Sequence, residues 1–156
     1  MQIHSLTLDD FSSTDYFLVG IHAAMEDYRL AYLLNLHLHI KLKRSDFDLD
    51  SKHSNGNATY SLFEYNNTST ENNWFLISNR YKAKIQSENL SLFSESQTFT
   101  YLIPEKKKVD YFLKLEGDFT SKTIEKTIEK INNLPQIITS YTIKTNELKS
   151  KESLIF

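Results

Sequence analysis

The chain has 156 residues, 40% of them apolar and 24% charged, with 18 Lys plus Arg against 20 Asp plus Glu. This fits one folded domain, and a net charge of −2 supplies no field that would gather nucleic acid or anionic lipid over the whole surface. With no Cys there are no disulfides, thiolate metal sites, iron–sulfur clusters or Cys nucleophiles.

The longest apolar stretches, such as Tyr16 to Ile21, fall far short of the ~20 residues that span hydrocarbon. The N-terminus carries no basic segment ahead of an apolar one, so the sequence places the chain in the cytoplasm without a membrane partner. Three Gly and two Pro leave no linker and no repeat; the expected organisation is one domain over 1–144 and a loose C-terminal tail over 145–156.

Tyr16 to His22 is rich in aliphatic and aromatic residues and reads as a buried strand, with Ile3 to Leu8 as a partner and Gly20 allowing a second backbone to come close. From Ala24 to Leu38 the pattern becomes helical, since Leu30, Leu33, Leu34, His37 and Leu38 share one face. Tyr28, Ala31 and Tyr32 widen that face, so the helix is expected to be largely covered and His37 to sit at a core boundary.

Ile40 to Leu49 alternates imperfectly as a strand, and SKHSNGNA reads as a loop around Asn55-Gly56. Strands follow at Tyr60 to Tyr65, Trp74 to Tyr81, and Phe99 to Ile103 paired with Val109 to Leu115. In the last of these, Val109, Tyr111, Leu113 and Leu115 alternate with Asp110, Phe112, Lys114 and Glu116, the pattern of a sheet wet on one face. A second helix over 121–133 aligns Ile124, Ile128 and Ile131, with Thr120 or Ser121 as its cap and Pro135 beyond its end. Gln136 to Ile143 is the final strand. The fold class is therefore α+β: a curved antiparallel sheet of five to seven strands with two helices packed on one face.

The segment from Ile103 through Pro104, Glu105, Lys106, Lys107, Lys108, Val109 and Asp110 to Tyr111 spells I-P-E-x-x-x-V-D-Y. It resembles the bacterial IPExxxVDY family, and DYFLVGIH and EDYRLAYLLN are similar to that family's N-terminal half. The resemblance implies no substrate and no catalytic residue, because the family is defined by its signature. Read physically, Pro104 suits a strand end, Glu105 with Lys106 to Lys108 makes a charged hairpin tip, Val109 and Tyr111 pack inward and Asp110 anchors turn N–H groups. In the competing reading, Glu105 and Asp110 face a partner or ligand.

Other constellations are incomplete. Asp46, Asp48 and Asp50 resemble the opening of a calcium loop, but Ser51 stands where Gly is needed and Asn57 where a bidentate Glu is needed. His22 with Glu26, and His37 with His39, lack a third ligand. No phosphate loop, dinucleotide fingerprint or G-x-S-x-G elbow is present, and Asp110 with Glu116 or Asp118 is a carboxylate pair only by spacing. No cofactor or metal is expected. Lys106 to Lys108 with Trp74, Phe75, Tyr101, Phe112 and Tyr141 could serve RNA if those aromatics faced solvent. The leading expectation is a non-catalytic protein-interaction module, homodimeric or with a protein partner, that uses an exposed sheet face or edge. The alternatives are a small enzyme or ligand-binding domain with a pocket between sheet and helices, and an RNA-binding accessory factor.

Overall fold

A computed structural model describes residues 16–53, 56–84 and 97–156. The expected strand at Ile3 to Leu8 lies outside them. The architecture is α+β, with one open six-stranded antiparallel sheet and two smaller two-stranded ones. Its strands are β1 (Tyr16–His22), β2 (Lys43–Arg44), β3 (Leu49–His53), β4 (Gly56–Tyr60), β5 (Leu62–Asn67), β6 (Asn72–Ser78), β7 (Arg80–Lys84), β8 (Gln97–Tyr101), β9 (Tyr111–Glu116) and β10 (Thr139–Ile143). The main sheet runs β10-β1-β9-β6-β5-β2, while β3 pairs with β4 and β7 with β8. No helix of the described residues is long and apolar enough to cross a membrane.

Helices α1 (Asp27–Leu38) and α2 (Ser121–Asn132) cover one sheet face. There Val19, Leu113, Leu76 and Phe63 form one row across four strands, since each is the cross-strand partner of the next. Leu30, Ala31 and Leu34 of α1, and Ile124 and Ile131 of α2, close over this row. Thr120 caps α2 as expected, its hydroxyl oxygen accepting the Thr123 N–H at 3.2 Å, and α2 ends before Pro135. Helix α1 starts at Asp27 and not at Ala24, because two groups hold the preceding backbone in a turn: the Asp110 carboxylate accepts the Ala23 N–H, and the Tyr111 hydroxyl donates to the Met25 carbonyl. It is also less covered than its apolar pattern suggests, with Tyr28, Tyr32 and His37 all exposed.

The opposite face is not wet. Leu18, Ile77 and Phe112 are buried there under Tyr60, Leu102, Ile103, Val109, Leu148 and Leu154, which come from β4, the 102–110 turn and the C-terminal segment. The tail is therefore part of the core: 3₁₀ turns at Thr145–Glu147 and Lys151–Leu154 set Leu148 and Leu154 into it. Gly20 admits a side chain where a second backbone was expected, since a Cβ there would stand 2.8 Å from Ile143 Cδ1.

The expected hairpin joining Ile103 to Tyr111 does not form. Among the described residues strand β8 pairs only with β7, β9 lies between β1 and β6, and Pro104–Lys106 is a 3₁₀ turn. The cause is Asn79, fully buried at the break between β6 and β7. Its N–H donates to the Asp110 carbonyl and its carbonyl accepts the Leu102 N–H, while its side chain accepts the Ile103 N–H and donates to the carbonyls of Lys106 and Val109. One amide thus satisfies the turn's backbone, and the flanking segments have no need of each other. The region 40–58 also departs from expectation: only Lys43–Arg44 joins the main sheet, and the supposed loop supplies most of the β3–β4 hairpin.

Candidate functional site

The signature residues converge, but on the protein's own backbone. Ile103 and Val109 are buried under the tail-side face, and Pro104 opens the 3₁₀ turn at a position where its missing N–H costs nothing. Although partial burial opposes it, the Glu105 carboxyl is held below its ordinary pKa by hydrogen bonds from Ser150, whose N–H and hydroxyl donate at 2.7 and 3.0 Å. Asp110 Oδ2 accepts the Ala23 N–H at 2.9 Å, and the Tyr111 hydroxyl donates to the Met25 carbonyl at 2.6 Å. Burial, reinforced by the charges of Asp27 and Asp110, pushes the Tyr111 phenol far above its usual range. Val109 and Tyr111 do pack inward, but into opposite cores.

The lysines of the motif are less committed. Lys106 is half-buried, while Lys107 and Lys108 are exposed, with the Lys107 ammonium 5.9 Å from the Tyr101 ring centre. The aromatics of the RNA reading are dispersed: Phe112 is buried, Trp74 packs edge-on to Phe119, Phe75 edge-on to Phe156, and Tyr141 lies beside His22, its hydroxyl 2.9 Å from Nε2. Glu116 stands 2.6 Å from the Lys114 ammonium, so it does not form an acid pair with Asp110. Among the described residues no three His, Asp or Glu side chains are grouped as metal ligands.

Two features were not visible in the sequence. The first is Lys114, only 2% exposed in the middle of β9. Its ammonium donates to the Leu154 carbonyl at 2.6 Å, meets Glu116, and lies 4.4, 4.8 and 5.5 Å from the ring centres of Phe156, Tyr16 and Phe75. The cation is therefore satisfied by a carboxylate, a carbonyl and three π faces.

The second feature is the outer side of α1. Tyr28, Tyr32 and Leu36 are 58, 66 and 54% exposed. At four-residue spacing they form one continuous stripe, because each successive position turns only about 40° around the helix. Arg44 bridges Asp27 and Asp48 at 3.2 and 2.6 Å and so holds the segment bearing Phe47, 80% exposed, near the start of this helix. Periodicity detects such a stripe but cannot say whether it lies inside or outside. Compared with family models, curated proteins and solved structures, the chain shows no significant match.

Proposed function

We propose that this chain is a non-catalytic, cytoplasmic protein-interaction module that pairs with a second copy of itself through the outward stripe of α1. The observation that carries this reading is the exposure of Tyr28, Tyr32 and Leu36 together, since large tyrosines held in line on a rigid helix supply contact area at little entropic cost. Both faces of the sheet are already covered, so the contact surface belongs on the helix and not on the sheet.

The stripe suits an antiparallel pair. A twofold axis near Tyr32 brings Tyr28 of one copy against Leu36 of the other, a closed self-complementary contact. Three apolar side chains per protomer match an interface below ~1,200 Å², the size of weak, transient contacts. Sedimentation velocity from about 1 μM to 1 mM should show a monomer–dimer equilibrium, which Tyr32→Arg abolishes without moving the urea midpoint. A protein that stays monomeric throughout, or a dimer indifferent to Tyr32→Arg, overturns the proposal. Salt-sensitive RNA binding lost on replacing Lys106, Lys107 and Lys108 would favour the nucleic-acid alternative instead.

A further inference from the structure

Both ends of the main sheet meet an asparagine. Beside β10, Asn132 at the end of α2 reaches the backbone of Ser140: its Oδ1 accepts the Ser140 N–H at 2.7 Å and its Nδ2 donates to the Ser140 carbonyl at 3.2 Å. The Ser140 hydroxyl donates to the same Oδ1 at 2.9 Å. At the other end, Asn35 of α1 meets Leu42, just before β2, in the same way, at 2.7 and 3.0 Å. In each case one side-chain amide fills the donor and acceptor positions that a neighbouring strand would use.

The two ends differ in what else protects them. Strand β2 is two residues long and carries Lys43 and Arg44, a short charged edge that discourages a further strand. Segment 136–143 holds no charge and no Pro, is rich in β-branched residues (Ile137, Ile138, Thr139, Thr142 and Ile143), and leaves Ile138 72% exposed. An edge of that composition is a template for pairing with another chain. Alternate residues of a strand turn their backbone groups to the same side, so with Ser140 turned to Asn132, Thr142 also points away from β1. No strand of the described residues lies beyond it. An antiparallel pair of β10 strands about a twofold axis at Tyr141 sets Ser140 of each copy opposite Thr142 of the other. Every hydrogen-bonded pair of that ladder needs Ser140, and Asn132 already holds both of its backbone groups.

The structure assigns Asn132 a guarding role: its amide withholds the β10 edge from the β10 edge of a second copy. The partner excluded is this chain itself. The edge is distinct from the α1 stripe and does not depend on it.

The test is made in a Tyr32→Arg background, so that association through α1 plays no part. Asn132→Leu keeps a side chain of similar size and loses every bond to Ser140. Sedimentation velocity should then show self-association strengthened by about tenfold or more, with the Thr142 amide becoming protected from exchange as concentration rises. Adding Thr142→Pro should restore the sedimentation of the parent, because it removes an outward N–H and no bond to β1. Proline at 142 cannot replace the lost tie to α2, so this rescue separates an opened edge from a weakened fold. A folded Asn132→Leu protein that associates no more than its parent, or association that Thr142→Pro leaves untouched, would overturn the proposal. Loss of the fold that Thr142→Pro does not mend would overturn it too, since the amide would then be a structural tie alone.

Discussion

The two faces of the central sheet are covered by different means. On one, regular helices lay periodic Leu and Ile over Val19, Leu76 and Leu113. On the other, irregular turns place single anchors, Ile103, Val109, Leu148 and Leu154, around a strand that carries Lys114 at its centre. The helical face derives its position from an extended apolar surface that tolerates small shifts. The tail-side face derives its position from directional groups, since the Leu154 carbonyl and the Phe156 ring fit the Lys114 ammonium in one arrangement. The contrast predicts that apolar area governs stability while the buried cation governs register.

The largest test of that contrast is Tyr111→Ala, which removes a buried ring from the helical face and the bond to Met25; it should cost about 3–5 kcal/mol, read as a lowered urea midpoint. Leu154→Ala comes next at about 2–5 kcal/mol, equal in kind to a helix-face Leu; an unchanged midpoint would show that the tail is dispensable. Lys114→Met should separate register from stability. It should leave the midpoint within about 1 kcal/mol of the parent or raise it, while amide exchange over 150–156 accelerates, and a loss of about 3–5 kcal/mol would make the ammonium a stabilising element instead.

The smallest effect is that of Glu105→Gln. Because the folded pKa of Glu105 is lowered, its contribution is fully present above the ordinary glutamate range and fades as pH falls through the folded value. The variant's acid-side loss of stability should therefore be shallower than the parent's, as measured by thermal midpoints across that range.

Strand β1 and helix α2 were legible because each carries a pattern matched to its own period: a continuous apolar run in one, Ile124, Ile128 and Ile131 in the other. The tail-side face was not legible, because single anchors on 3₁₀ turns have no period to detect. Alternation correctly put Lys114 opposite Leu113, but it reports which side a residue faces and not what covers that side. The false hairpin has the same origin: extended segments flanking a turn imply pairing only when nothing else satisfies their backbone, and Asn79 does so from outside the segment. On α1 the apolar pattern was wider than its covered strip, so Tyr28 and Tyr32 read as core and lie outside. Of the signature residues, the burial of Val109 and Tyr111 could be read; that they enter opposite cores, and that Asp110 holds the Ala23 N–H and not its own turn, depends on segments distant in sequence and could not.

That distance bears on the order in which the molecule assembles. Strand β1 pairs with β9 and β10, both formed from the last third of the chain, and the ties from Asp110 to Ala23 and from Tyr111 to Met25 span 87 and 86 residues. Neither tie can form until β1 has found β9, whereas the β5–β6 hairpin closes locally. Long loop closure predicts that the segment acts as a late clasp, holding the chain together once the folding barrier is crossed. Weakening Asp110 or Glu105 should show mainly in the unfolding limb of a chevron, as a shorter native lifetime with a nearly unchanged folding rate.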